Sequence, residues 1–406
     1  MITSDGGVMV WRELEEKFGI LEEVAKCFED YRDESLIEFE LEELLAQRIF
    51  GLLEGYEDLN DHDDLRGDQA FGTAIGRDDP TGMDRRRDQD KHKPGAGKST
   101  FNRLELGAEQ GSPADLYKKI VPDLEALREH LRERTFELIE EISEKPDRVV
   151  IDLDPSDVLL YGEQEGRYYH KHYGDYCYLP LYAFVARWPL DVLLCRSSQK
   201  PARDAQETIH QLVETVRQAW EDCTVVIRGD GDFSKVPELM EWIEGQQGVE
   251  FIFGLAKNSR LKSRATEPMQ EARRACQSSG EASRRYTCFR YKPTTGSWSH
   301  KRRVVAKAEY LPGDEQHDPK DNTRFVVTSI EADEIPDQPL YEDGYCPRGD
   351  SENAIFETQQ KLFGDRASTA YESSNQLRML WSAIAGLFVV LLRRVALQET
   401  PLQGAE

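Results

Sequence analysis

The sequence predicts a mixed α/β protein, and three observations carry that prediction. Short β-type runs cluster in the middle of the chain, helical spacing dominates both ends, and the middle opens with three strands before alternating helix and strand. The 406 residues are enough for two or three domains with a sizeable core. Hydrophobic residues make up 39% and charged residues 32%, a balance that suits a soluble globular chain and excludes wholesale disorder.

Residues 10–56 read as helical, in segments at 11–18, 21–31 and 36–55, with Gly55 closing the last. Residues 57–98 are polar and turn-rich, with Asp-Asp-Pro-Thr-Gly at 78–82, and read as a long loop or linker. Helices follow at 98–106 and 114–143; Pro113 marks the start of the second and Pro122 a break early in it. β-type runs come next at 148–153, 176–185 and 190–195. A helix at 202–220, a strand at 224–228, a helix at 236–244 and a strand at 249–256 complete the alternation. Residues 259–340 combine a helical stretch with β-prone runs at 286–291, 302–310 and 324–329, and read as an insertion. Helices resume at 350–363 and 374–397. The apolar run at 379–392 is too short for a bilayer and reads as a buried helix, so no membrane partner is expected. The N-terminus lacks the basic-then-apolar layout of a signal peptide.

Seven cysteines are scattered without a Cys-x-x-Cys pair, which suggests reduced thiols in a cytoplasm and argues against a zinc site. The net charge of −25 speaks against a polyanionic partner, because an acidic chain is repelled by phosphates. Two features soften that objection. Acids are abundant throughout and Arg outnumbers Lys, as in proteins adapted to a high-salt cytoplasm, where repulsion is screened over a short distance. Local basic clusters then matter more than the sum.

Carboxylates end two of the expected strands. One reads Val149-Val150-Ile151-Asp152-Leu153-Asp154-Pro155-Ser156, the other Val225-Val226-Ile227-Arg228-Gly229-Asp230. An apolar strand that stops at Asp delivers a carboxylate to the sheet edge, where ligands commonly bind; alone, such an Asp is more often a turn residue or helix cap. A third acid lies downstream in Tyr345-Cys346-Pro347-Arg348-Gly349-Asp350-Ser351-Glu352-Asn353, where helical spacing puts Arg348 and Glu352 on one face. By itself that pair reads as a surface ion pair.

Together, Asp154-x-Ser156, Arg228-Gly-Asp230 and Tyr345-x2-Arg348-x3-Glu352 resemble the signature regions of bacterial insertion-sequence DDE transposases, in the branch that shares Tyr-Cys-x-Arg-Gly-x-x-Glu-Asn. The resemblance extends to Tyr161–Gly166, Asp365-Arg366-Ala-Ser368, Asn375-Gln376-Leu377-Arg378, and upstream to Gly55–His62 and Gly97–Glu105, so it covers nearly the whole chain. It implies an RNase H-like mixed sheet flanked by helices, with a β-rich insertion before the last catalytic helix and a helical N-terminal region. The corresponding segments are a DNA-binding or assembly region at 1–110, a connecting helix at 111–145, the first part of the core at 146–258, the insertion at 259–340, and the C-terminal core helices at 341–406. Catalytic, metal-ligating roles fall on Asp154, Asp230 and Glu352, with Asp152 as a neighbouring alternative for the first. Tyr345, Arg348 and Asn353 are the implied DNA contacts. The implied cofactor is a pair of Mg²⁺ or Mn²⁺ ions per site, and the implied partner is double-stranded DNA, both terminal inverted repeats and target, bound by a dimer in a bacterial or archaeal cytoplasm at the nucleoid.

The chemistry explains the residue types. Phosphodiester cleavage and strand transfer are in-line displacements, for which two ions about 3.5–4 Å apart activate the attacking oxygen and stabilise the leaving one. Mg²⁺ takes hard oxygen ligands and keeps several waters, so a few carboxylates suffice. Arg348 suits bidentate contact with a phosphate.

The chain also departs from the family pattern. Asp230-Gly231-Asp232-Phe233 stands where relatives have Asp-Ser-Gly-Phe, Gln359 replaces a Lys of some relatives, and Ala354 and Phe356 replace basic residues. Two further readings therefore accompany a transposase: an inactive, domesticated DNA-binding protein, and a nuclease without strand transfer.

Other signals point to structure. Gly95-Ala96-Gly97-Lys98-Ser99-Thr100 lacks the first Gly of a phosphate-binding loop, since that position is His92; Ser99 or Thr100 reads as a helix cap. Asp58, Asp61, His62, Asp63 and Asp64 read as solvated loop residues, His170 and His172 as surface residues, and Trp188, Trp220 and Trp242 as core.

Overall fold

Six strands of a mixed sheet organise the middle of the chain in the computed structural model, which describes residues 3–106, 117–294, 298–313 and 317–402. The chain divides into two units: Met1–Lys145, Pro155–Gln199 and Asn353–Glu406 form one, Pro146–Asp154 and Lys200–Glu352 the other.

These six strands belong to the second unit. Strands Arg148–Pro155, Thr224–Gly229 and Val249–Leu255 run parallel, side by side. Their cores are almost continuously apolar, and Ile151, Leu153, Val225, Val226, Ile227, Phe251, Ile252 and Phe253 are all buried, as strands covered on both faces require. Parallel neighbours need crossovers. Pro237–Glu244 supplies one of these. Helix Gln206–Ala219 precedes Thr224–Gly229 and buries Ile209, Leu212, Val213 and Val216 along one stripe.

The 259–340 segment continues this sheet rather than standing apart from it. Lys320–Thr328 pairs antiparallel with Val249–Leu255, Arg302–Leu311 with Lys320–Thr328, and Ser283–Tyr291 with Arg302–Leu311. Helix Thr266–Ser279 packs on the last two.

The first unit is mainly helical. Its core is Glu372–Leu391, buried along most of its length through Leu377, Leu380, Trp381, Ile384 and Phe388. It packs against Leu41–Leu53, Leu124–Ile142 and strand Trp188–Leu193. Glu372–Ala396 is apolar and long enough to cross a membrane, yet 67% of its most apolar window is buried inside the protein. The apolar run at 379–392 is thus a core helix.

Several boundaries differ from expectation, each for a local reason. The helix expected at 21–31 stops at Ala25, because Phe28–Asp30 pairs with Ile120–Pro122. The one expected at 36–55 starts at Leu41, where Glu40 and Glu43 form a reciprocal cap. Leu124–Ile142 is capped by Asp123, whose carboxylate accepts from the Glu125 and Ala126 amides; the expected start at Pro113 lies outside the described residues.

The single strand expected at 176–185 is two. Asp175–Tyr178 joins Val158–Leu159 and Tyr168–His170 in a small sheet, while Leu181–Val185 forms a hairpin with Trp188–Leu193. Pro180 stands between them and has no N–H to give a ladder. Residues 57–98 are not a linker. Leu59, His62, Leu65, Phe71, Ile75, Arg85 and Ala96 are buried, and the stretch packs as short helical turns.

Candidate active site

Strand register brings the first two acids together. Leu153 pairs with Gly229 in the parallel ladder, so Asp154 and Asp230 both lie one residue beyond that pair, on adjacent strands. Successive strand residues alternate faces, which puts Asp152 with Asp154 and Arg228 with Asp230. On that shared face Asp152 and Arg228 are registered partners, and their side chains form a bidentate ion pair with Nη2–Oδ2 at 2.7 Å. Asp152 is only 2% exposed and both its oxygens are taken. Asp154, half-buried at the strand end, is the acid that faces the site.

The third acid comes from helix Arg348–Phe356. Arg348 and Glu352, one turn apart, are joined through Arg348 Nη2 and Glu352 Oε1, while Arg348 Nη1 donates to Asp154 Oδ2 at 2.8 Å. One guanidinium therefore bridges the strand acid and the helix acid. The segment leading into this helix is anchored to the sheet: Arg228 Nη1 donates to the Gly344 carbonyl at 2.7 Å. Tyr345 is packed against Gly254, where a Cβ would lie 2.6 Å from the Tyr345 hydroxyl; only glycine lets the two approach so closely.

Electrostatics mark the cluster as short of positive charge. Burial pushes the Asp154 carboxyl up to about 7; Arg348 pulls it back, and the charges of Asp230 and Glu352 push it further up. Asp230 is raised as well, chiefly by burial, although its carboxylate accepts from the Asp232 amide at 2.9 Å. Tyr345 is raised by burial too. Among the described residues, no group of three or more His, Cys, Asp or Glu side chains already stands in a metal-holding arrangement. The donor chemistry still fits a hard divalent cation: oxygen ligands only, on acids gathered around a single guanidinium and costly to ionise together.

The departures from the family pattern have simple places. Asp232 is exposed and pairs with Lys235, so its charge is turned to solvent. Gln359 is buried, accepting from Ser156 Oγ at 3.2 Å. Ala354 is buried and Phe356 exposed; Asn353, next to Glu352, is exposed.

Motif residues outside the acids turn out to be scaffold. Asn375 Oδ1 accepts from the Thr369 amide and hydroxyl, and Gln376 bonds the Leu194 amide and Val192 carbonyl. Glu105, fully buried, accepts from Arg48 and from Arg378 Nε, the latter at 3.1 Å. In Gly95–Thr100, Ala96 is held at both backbone groups by Gln47, and Gly97 rather than Ser99 or Thr100 caps helix Lys98–Glu105. His62 is not solvated. It stacks on Phe101 and contacts Gln47, and burial lowers its basicity. His170 packs edge-on against His172 in the small sheet's loop. Sequence reasoning missed Gly254 and the role of Arg228, which it quoted only as part of a motif; neither stands out until the strands are paired.

No curated protein matches the sequence. Among solved structures, piggyBac transposase in a synaptic complex with hairpin DNA aligns over 95% of this chain and 74% of its own, at 13% identity and a TM-score of 0.41, too loose a likeness to assign any residue a role. The model of one family, described as the transposase DDE domain, group 1, matches residues 1–406, and the chain belongs to that family of DDE transposases.

Proposed function

We propose that this DDE transposase cuts the ends of its element and joins them to target DNA, with Asp154, Asp230 and Glu352 as the metal-ligating acids. The gathering of these three carboxylates around Arg348 is the observation that carries the reading. When bound, a pair of Mg²⁺ or Mn²⁺ ions supplies activation of the attacking oxygen and stabilisation of the leaving one. Asp154 and Asp230, fixed by strand register, and Glu352, carried on a helix, would hold them. Asp152 is a structural partner of Arg228 in this reading. Arg348 and Tyr345 orient the scissile phosphate, Arg348 exchanging its carboxylates for phosphate oxygens, and Asn353 reaches DNA from the exposed side of the helix. Cleavage and joining use the same acids in turn, with water and then the freed 3′-OH as nucleophile.

The test is incubation of the protein with Mg²⁺ and DNA carrying the element's ends. Strand-transfer products support the proposal, and cleavage alone indicates a nuclease. Binding without cleavage indicates a scaffold that has lost its chemistry. Asp230→Asn and Glu352→Gln should fold normally and cut nothing; undiminished cleavage by either would remove the site assignment.

A further inference from the structure

An acidic DNA enzyme has to meet its polyanion somewhere, and one surface of the first unit is built against the overall charge. A groove of about 880 Å³ is lined by eight Lys or Arg side chains and only two acids, Glu38 and Asp90, in a chain whose net charge is −25. Three of the eight are neutralised: Arg32 by Asp30, Arg66 by Asp63 and Asp90, and Arg85 by Glu38. The side chains of the other five, Arg86, Arg87, Lys93, Arg103 and Lys119, form no ion pair among the described residues; Arg86 Nη2 donates to the Ile37 carbonyl at 3.1 Å and Lys93 Nζ to the Gln89 carbonyl at 2.9 Å, while Glu38 and Asp33 feel the charges of Arg86 and Lys119.

The groove is held rigid by the segment that reads in sequence as a linker. Its two limbs meet at Gly82, where φ is +67° and a Cβ would stand 2.7 Å from the Lys93 amide nitrogen. Arg85 is buried between them, its guanidinium 4.6 Å from the Phe39 ring centre, and it donates to Glu38 Oε1 at 2.8 Å and to the Gly95 carbonyl at 3.0 Å. With Arg85 locked inward and the Arg86 amide tied to Glu38 at 3.1 Å, Arg86 and Arg87 are left exposed. Helix Lys98–Glu105 contributes Arg103, with Ser99 and Thr100 from its first turn. Lys119 is fixed by the bond from the Tyr31 amide to its carbonyl, 2.8 Å.

We infer that this groove binds the phosphate backbone of double-stranded DNA. A single small anion would be satisfied by one or two of these cations, whereas five cations outside ion pairs along one groove match a run of phosphates. Cations gathered in one groove repel one another, and a run of phosphates relieves that repulsion. The contacts are to backbone, so they position the duplex and do not read its sequence. The inference rests on the DNA-transposase reading only for the identity of the polyanion.

The test uses the full chain and a labelled duplex, with anisotropy measured across salt concentrations. Arg87→Gln, Arg103→Gln and Lys119→Gln are combined in one variant. Lys145→Gln, Arg274→Gln and Lys301→Gln, all exposed and outside the groove, form a second variant of equal net charge. The groove variant should bind about tenfold or more weakly, and its log K against log salt slope should fall by ~2.7, about 0.9 for each lost phosphate contact. The control variant should stay within about twofold of the parent. Equal losses in both variants, or none in the groove variant, overturn the inference. So does a groove variant that loses single-stranded RNA or polyglutamate binding yet keeps duplex DNA. Asp230→Asn separates the two ideas. Groove-dependent binding by a parent chain that never cleaves leaves the groove standing and sinks the chemistry; cleavage with groove-independent binding does the reverse.

Discussion

Two charged clusters in this protein use the same ingredients in opposite proportions. In the first unit, one carboxylate, Glu105, sits between two guanidiniums, Arg48 and Arg378. Burial opposes its charge, but the two arginines prevail and hold its carboxyl below the ordinary value. At the candidate active site, Asp154 and Glu352 share a single guanidinium while Asp230 adds a third negative charge nearby, and the balance goes the other way: Asp154 rises to about 7. An over-compensated acid is fixed and structural. An under-compensated group of acids is poised to take up further cations, at a cost to the fold that holds it.

The predictions sharpen this contrast. The largest effect is expected at the site: Asp230→Asn or Glu352→Gln should lower DNA cleavage by about 10³-fold or more, while the melting temperature falls no lower than the parent's. Next comes the compensated cluster. Glu105→Gln strands two buried guanidiniums and should destabilise the protein by ~3–5 kcal/mol in chemical denaturation.

A closer comparison lies on one strand, two residues apart. Asp152→Asn removes the partner of the buried Arg228 and should destabilise by about 3 kcal/mol. Asp154→Asn should do the opposite. At pH 8 with metal chelated it removes a charge the fold disfavours and should stabilise by about 1–2 kcal/mol, while abolishing cleavage. If both substitutions shift stability in the same direction, the division between structural and functional acid fails.

The smallest effect concerns Glu15, an acid bonded to the Leu21 and Glu22 amides, whose carboxyl burial pushes up to about 7. Between its unfolded value of 4.5 and about 7, the folded chain holds a proton that the unfolded chain has released, so this residue's contribution to stability declines as pH rises through that window. Glu15→Gln should therefore gain about 1 kcal/mol at pH 8 and nothing below pH 4.5, as read from denaturation at the two pH values.

Much of this was legible in the residues alone. Apolar runs of strand length, helical spacing and the breaks between them are local properties, and they led to the parallel strands at 148–155, 224–229 and 249–255 within a residue or two. Arg348 and Glu352 could be paired for the same reason, being one helical turn apart. What the sequence left open was partnership across distance. The sequence left Asp152 beside Asp154 as an alternative, and the register that sets Asp152 opposite Arg228, 76 residues away, marks Asp152 as the acid already committed to a buried ion pair. The turn-rich stretch at 57–98 contains the composition of a linker, and it became packed structure because Arg85, His62 and Phe71 are themselves buried, against Glu38, Phe101 and Tyr56. Local periodicity decides which elements form. The burial of charge and the company each carboxylate keeps depend on contacts between distant segments, and those exist only once the chain has folded.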